Sequence, residues 1–180
     1  MPMTKNSATV QEVAAAIRNI PDFPQPDIQF KDITPVLADV RLFTACIDHL
    51  TANIQPGSVD AVVGIDARGF IFAAAAAYKL GCGFVPVRKK GKLPHKTYEE
   101  TYTLEYGSNT IAIHTDAIKQ GARVVLIDDL LATGGTAGAA ANLLKRFGAQ
   151  ILEITFLIEL SFLKGRDRLQ GLPVRSLIVF

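Results

Sequence analysis

Two adjacent carboxylates, Asp128 and Asp129, stand just ahead of a small, hydroxyl-bearing turn, Ala132-Thr133-Gly134-Gly135-Thr136. The glycines let the backbone take positive φ and come close to a ligand. With a helix after them, free N–H groups and the helix dipole converge on one spot and favour an anion. Thr133 and Thr136 add hydroxyl donors. No Lys-Ser/Thr pair follows the glycines, so this is not a P-loop, and adjacent glycines exclude G-x-G-x-x-G. Neighbouring acids repel a polyphosphate but accept hydrogen bonds from vicinal hydroxyls. A ribose 5-phosphate therefore fits, with its hydroxyls on Asp128 and Asp129 and its phosphate on residues 132–136.

A second corner carries the opposite charge. The apolar run 61–65 leads into Asp66-Ala67-Arg68-Gly69 and then an alanine-rich stretch, 70–80. A guanidinium at a helix start binds a second anion bidentately. A salt bridge from Arg68 to Asp66 is the bland alternative, weaker because neighbours in a tight turn rarely face each other. The next apolar run, 83–87, enters a basic stretch from Arg88 to Lys96. Basic runs are usually solvated faces or nucleic-acid patches. This one leaves a core strand at the carboxyl edge where α/β ligands bind, and its cations suit a pyrophosphate. His49, His95 and Lys96 receive no role.

These groups need a frame. Residues 124–127 read as a strand buried on both faces, and 139–147 as a helix stopped by Gly148. Residues 9–20 read as a first helix, with a capping box at Thr9 and Glu12, a stripe of Val10, Val13, Ala14 and Ile17, and a stop at Pro21. The proline-rich stretch 21–35 excludes a regular element, although Phe23, Ile28, Phe30 and Ile33 should pack. Residues 39–54 form an amphipathic pattern with Val40, Leu42, Phe43, Ile47, Leu50 and Ile54 inward. In 97–107, Tyr102, Leu104 and Tyr106 alternate as in a β-ribbon. Short strands at 111–113 and 176–180, a helical turn at 116–120, a long strand at 150–160 and a helical turn at 164–169 complete the frame. Strands alternate with helices, so the fold class is α/β, a mainly parallel twisted sheet with helices on both faces.

The chain's 180 residues suit one domain, 1–180. With 49% hydrophobic and 20% charged residues the balance is globular rather than disordered, and a net charge of +2 gives no case for a nucleic-acid partner. No apolar run reaches the roughly 20 residues of a membrane helix, and the first residues lack a signal-peptide core. Cys46 and Cys82 are expected as buried free thiols, and with no histidine at ligand spacing they make no metal site. The expected compartment is the cytoplasm, with no membrane partner.

Residues 125–136, Val-Leu-Ile-Asp-Asp-Leu-Leu-Ala-Thr-Gly-Gly-Thr, resemble the phosphoribosyl-pyrophosphate (PRPP) signature of the type I phosphoribosyltransferases, in the form of their adenine-specific branch. Residues 23–35 resemble that branch's hood over the base, except that Asp27 stands where glycine is usual. Leu104-Glu105-Tyr106-Gly107 resembles its mobile active-site loop. The resemblance covers about Ile20 to Leu160 in four motifs in the family's order. It implies a type I phosphoribosyltransferase-like core with a hood at about 20–38 and a mobile loop at about 95–109. It places pyrophosphate on Arg68, Lys89 and Lys92, at a loop that often holds a cis non-proline peptide. Phe30 would stack on adenine, with the backbone of Gln29 and Lys31 reading its edge. Glu159 and Leu160 would reach the base pocket, Leu160 as an apolar wall. Glu105 is the implied proton carrier at the purine ring, with Tyr106 beside it.

The implied reaction is adenine plus PRPP giving AMP and pyrophosphate, a purine-salvage step, with Mg²⁺ held mainly by substrate oxygens. A homodimer is expected on the resemblance alone. A hypoxanthine, guanine or xanthine transferase stays open, because the residues read without the resemblance do not choose the base. A non-catalytic PRPP-binding regulator needs a nucleic-acid-binding face, and a generic nucleotide module lacks its P-loop lysine.

Overall fold

A computed structural model describes residues 7–103 and 107–180, and the chain forms two compact units, residues 1–49 and 50–180. In the first, α1 (Val10–Ala16) starts at a reciprocal capping box. Thr9 Oγ1 accepts the Glu12 N–H at 3.2 Å, and the Glu12 carboxylate accepts the Thr9 N–H at 2.8 Å. The Thr9 N–H and the Arg41 guanidinium hold the Glu12 pKa down at about 2. The helix is shorter than the expected 9–20. Ile17 turns extended, and β1 (Arg18–Ile20) pairs antiparallel with β2 (Phe30–Asp32), so a ladder replaces the last helical turn. β2 and α2 (Thr34–Ala38) also overturn the expectation that 21–35 holds no regular element. Pro35 lies in the first turn of α2, where its missing N–H costs no hydrogen bond. α3 (Val40–Leu50) opens on Asp39, whose Oδ1 accepts the N–H groups of Arg41 and Leu42. Leu42, Ile47 and Leu50 are buried as expected, but Val40, at the helix start, is 81% exposed.

The second unit holds β3 (Ala61–Ile65), α4 (Gly69–Leu80), β4 (Gly83–Lys89), β5 (Thr97–Thr103), β6 (Ser108–His114), β7 (Arg123–Leu131), α5 (Gly135–Lys145), β8 (Gln150–Glu159) and β9 (Val174–Val179). Their order across the sheet is β5-β6-β4-β3-β7-β8-β9. From β4 to β9 neighbours are parallel, while β6 joins β4 and β5 antiparallel, so the mainly parallel sheet and the ribbon are both present. From β3 the chain crosses through α4 to β4, and from β7 it crosses through α5 to β8 in the opposite direction. Right-handed crossovers running opposite ways place the two helices on opposite faces. α4 presses on Gly64, where a Cβ would meet the Ala73 Cβ at 2.6 Å. α5 covers the other face, over Val63, Ile65, Val85, Val124 and Leu126. Between β3 and β7 the strand order changes direction, and such a point opens a crevice at the carboxyl ends.

Four stretches differ from the sequence reading, the first two at the site. β7 continues to Leu131, so both aspartates lie on the strand, because β8 keeps pairing alongside from Asp128↔Phe156 to Leu131↔Glu159. α5 runs Gly135–Lys145 rather than 139–147, so the glycines open the helix itself, with Gly134 at φ 77° as its cap. Residues 116–120 form turns, not a helix, and β9 begins at Val174 rather than at 176. Cys46 and Cys82 are free thiols, and burial pushes the Cys46 pKa up to about 12. No helix among the described residues is long and apolar enough to cross a membrane.

After β8 come two 3₁₀ turns, Ser161–Leu163 and Gly165–Leu169. Arg166 grips Glu159 with Nε and Nη2, at 2.8 and 2.7 Å, and donates to the Val174 carbonyl at 3.1 Å. The guanidinium lowers the Glu159 pKa. Glu159, which the resemblance sets toward the base pocket, is held by this clamp in the unliganded structure. The clamp holds Gly165 flat against the 132–134 backbone. A Cβ on Gly165 would run into the Ala132 carbonyl oxygen and lie 3.1 Å from the Gly134 nitrogen. Gly165→Ala is expected to lower the unfolding free energy by about 2 kcal/mol or more, as overpacking against backbone does. The urea midpoint measures it, and an unchanged midpoint would disprove the close approach.

Candidate functional site

β7 ends in the acidic pair. Asp129 is 6% exposed and Asp128 half-buried, and the Asp129 N–H donates to Asp128 Oδ1 at 2.9 Å. Across the crevice, the loop after β3 carries Arg68, whose Nη2 lies 2.7 Å from Asp129 Oδ2. The contact is an ion pair by distance, although no N–H is aimed well enough at Oδ2 to count as a hydrogen bond. The Asp66–Ala67 peptide in this loop is cis, as the resemblance implies. Asp66 is taken by Arg88, whose Nε lies 3.0 Å from Oδ2. Thus Arg68 reaches the candidate ribose acid, and the Asp66 carboxylate is held from β4.

Burial and the neighbouring Asp129 charge push the Asp128 pKa well up. Burial raises that of Asp129 too, with Arg68 opposing. Among the described residues, Arg68 is the cation that opposes this repulsion. Packing here leaves no slack. A Cβ on Gly69 would strike the Asp128 carboxylate, so only glycine lets the first turn of α4 come this close.

Beside the acids lies the turn 132–136. Gly134 sits at φ 77°, and the first N–H groups of α5 have no partner within the helix. Thr133 and Thr136 stand half-buried on the same turn. Thr136 Oγ1 donates to Tyr102 Oη at 2.8 Å. The arrangement offers an anion cradle next to two hydroxyl-accepting carboxylates, with a cation at their other side.

The structure therefore brings together Arg68, Asp128, Asp129, Ala132, Thr133, Gly134, Gly135 and Thr136. Lys89 and Lys92 are exposed at the end of β4 and in its following turn, where the Lys92 N–H donates to the Lys89 carbonyl at 3.1 Å. Leu160 follows β8, its N–H on the Leu131 carbonyl at 2.9 Å. Gln29, Phe30 and Lys31 belong to the first unit. Gln29 is exposed, Phe30 packs edge-on against Phe23 at 5.1 Å, and Lys31 Nζ donates to Asn19 Oδ1 at 2.7 Å. Asp27, the departure from the hood pattern, sits at φ 67° and so takes the left-handed conformation that glycine favours, with its N–H on Asp22 Oδ1. Glu105 and Tyr106 lie outside the described residues. Sequence reasoning missed Tyr102, Gly165 and the Glu159–Arg166 and Asp66–Arg88 pairs. The alternation of 97–107 was the one available signal for Tyr102; the pairs join residues 7 and 22 positions apart, beyond any local pattern.

A folded-state carboxyl pKa that is raised stabilises only below the unfolded value, and the stability is lost as pH rises through the raised range. Asp128→Asn keeps an acceptor for the Asp129 N–H and removes one charge. It is expected to raise the urea midpoint of the unliganded protein at pH 7. The gain should vanish below the ordinary aspartate pKa of about 4. A midpoint at pH 7 no higher than wild type would refute the repulsion.

The fold and site can now be set beside known proteins. The phosphoribosyl transferase domain model matches residues 29–174, most of the chain. An adenine phosphoribosyltransferase of Chloroflexus aurantiacus is 56% identical over 172 residues, covering 96% of this chain and 99% of its own. The crystal structure of one from Thermoanaerobacter pseudethanolicus superposes with a TM-score of 0.92 at 50% identity, covering 96% of this chain and 100% of that one. One from Saccharomyces cerevisiae, solved in complex with adenine and D-2,5-dideoxy-2,5-imino-altritol 1,6-bisphosphate, superposes at 0.88 with 42% identity, covering 93% and 97%. A crevice at the strand switch point that seats an anion cradle beside two carboxylates is thus found in a chain that belongs to the phosphoribosyltransferase family, among its adenine phosphoribosyltransferases.

Proposed function

We propose that the chain transfers the 5-phosphoribosyl group of PRPP to adenine, giving AMP and pyrophosphate. The reading is carried by one juxtaposition, the acidic pair with the 132–136 cradle on one side and Arg68 2.7 Å from Asp129 on the other. The 5-phosphate sits on the N–H groups of 132–136 with Thr133 and Thr136, and Asp128 and Asp129 accept the ribose hydroxyls. Arg68, Lys89 and Lys92 hold the pyrophosphate. Gln29, Phe30, Lys31 and Leu160 form the adenine subsite. Both units serve one catalytic domain, a reading supported by the family match that runs from residue 29 to 174 across them.

Pyrophosphate leaves C1′ while positive charge develops on the sugar ring, so the protein contributes mainly positioning and electrostatics. Arg68 and the two lysines meet the charge that builds on the leaving group. The acidic pair holds the ribose hydroxyls and favours the cationic ring. Glu105, with Tyr106, handles the proton of the attacking purine. Mg²⁺, when bound with PRPP, would supply Lewis-acid stabilisation of the leaving group's charge. Asp129, whose Oδ2 keeps unused acceptor capacity, is the side chain that would face such an ion.

The active form is a homodimer. Ile71 and Tyr78, seven residues apart on one face of α4, stay exposed, Tyr78 at 92%, and suit a second copy. The working compartment is the cytoplasm, a reading that the two free thiols support.

Product formation with PRPP, Mg²⁺ and each purine base in turn tests the activity. AMP from adenine alone is expected. Turnover of hypoxanthine or guanine instead would discard the base subsite, and no turnover with tight PRPP binding would replace the enzyme by a regulator. Glu105→Gln is expected to lower turnover by roughly 10²-fold or more while PRPP affinity holds. Equal turnover would remove the proton-transfer role. Asp129→Asn should weaken PRPP binding by about tenfold or more, the size of a lost charge-assisted hydrogen bond, and unchanged affinity would argue against ribose recognition.

A further inference from the structure

Tyr102 stands on β5, in register with Asn109 of β6, and reaches from the ribbon to the first turn of α5. Its ring lies on Gly135 so closely that a Cβ there would meet Cδ2 at 2.9 Å. Its hydroxyl accepts the Thr136 proton at 2.8 Å. A hydroxyl has one proton to give and two lone pairs to accept with. Without ligand, Thr136 spends its proton on the phenol, and Tyr102 keeps its own.

We propose that Tyr102 is a positioning residue for the 5-phosphate, acting through Thr136. The proposal rests on the cradle reading given above. A phosphate oxygen is a charged acceptor and outcompetes a neutral phenol for the Thr136 proton. Thr136 then turns its O–H to the phosphate, and the bond between the two hydroxyls reverses. Tyr102 donates its retained proton to Thr136 Oγ1. No proton changes owner; two O–H groups rotate. The reversed bond keeps Thr136 in place and polarises its hydroxyl, which strengthens the bond to phosphate. The ring's seat on Gly135 fixes where the phenol oxygen stands, so Thr136 meets a partner that is already placed.

The test is a cycle of Tyr102→Phe, Thr136→Val and the double variant. Ribose 5-phosphate, PRPP and pyrophosphate binding are measured by calorimetry, and the thermal midpoint beside them. Tyr102→Phe keeps the ring. It is expected to weaken ribose 5-phosphate and PRPP by about three- to tenfold, the net worth of one hydrogen bond. Pyrophosphate binding should not move, and the midpoint should fall only by the loss of the unliganded Thr136 bond, whereas a merely structural tyrosine would show that fall with ribose 5-phosphate and PRPP affinity unchanged. The double variant should bind no worse than Thr136→Val alone, because the tyrosine acts only through that hydroxyl. Unchanged ribose 5-phosphate affinity in Tyr102→Phe, with Thr136→Val weakened, would overturn this proposal and leave the cradle standing. Additive losses in the double variant would also overturn it. Unchanged affinity in Thr136→Val would overturn the cradle reading and the proposal together.

Discussion

Two like charges held side by side at the end of a buried strand set the terms for the second unit. Removing Asp128 and Asp129 from water is unfavourable, and each makes the other worse, as their raised pKa values record. The sheet does not let them escape, because β7 stays paired with β8 on past both of them. What offsets the charge must come from elsewhere. The parallel pairing of β3 with β7 supplies it, by carrying the β3 loop to the same edge and setting Arg68 at 2.7 Å from Asp129. Gly69 is the packing consequence. α4 has to begin against Asp128, and any side chain there would collide with the carboxylate.

Recognition of an anion by backbone N–H groups asks for a different kind of rigidity. A loop of Ala, Thr and Gly has little side-chain packing to hold it in shape. The shape is imposed from beneath, where Gly165 lies against the Ala132 carbonyl and the Gly134 nitrogen. Gly165 in turn is held by the bidentate grip of Arg166 on Glu159, a residue 5% exposed at the end of β8. A buried carboxylate thus helps to hold the backbone on which the 132–134 turn rests. Truncating Arg166 would leave the Glu159 charge buried and unpaired, which costs more than the pair itself contributes.

The layered plan was legible because its signal is local. Apolar runs such as 61–65 and 124–127 are long enough to read as buried strands, and the capping box at Thr9 and Glu12 formed as its spacing requires. Arg68, Asp128, Asp129 and the 132–136 turn could be singled out as candidates for the same reason, since each lies in a contiguous strand-turn corner. What failed was where tertiary pairing decides. Arg18 to Ile20 look helical until Phe30 to Asp32 offer a ladder, and Gly135 begins a helix that glycine content argues against. The partner of Arg68 is 61 residues away in the chain, and no spacing rule finds it. The base-side reading rested on resemblance throughout, and physics added only that Asp27 takes the backbone conformation of the glycine it replaces.

The crevice contacts proposed here are all with the phosphoribosyl half of the reaction. A 5-phosphate, two ribose hydroxyls and a pyrophosphate are the same groups whatever base is joined at C1′. Nothing in Arg68, the acidic pair or the cradle prefers adenine to hypoxanthine. Choice of base must come from groups that meet the ring edge, and a stacked aromatic such as Phe30 is indifferent to that edge because every purine offers the same face. On the proposed assignment of Gln29 and Lys31 to the base edge, the discrimination would fall to their backbone N–H and C=O groups, whose donor and acceptor pattern is fixed by chain path rather than by side-chain identity. The path of residues 21–32 is shaped by Asp22 and Asp27, which take positive φ, and by the Asp22 carboxylate, which accepts the Asp27 N–H. On the proposed reading, the phosphoribosyl subsite rests on side-chain charge and the base subsite on backbone shape.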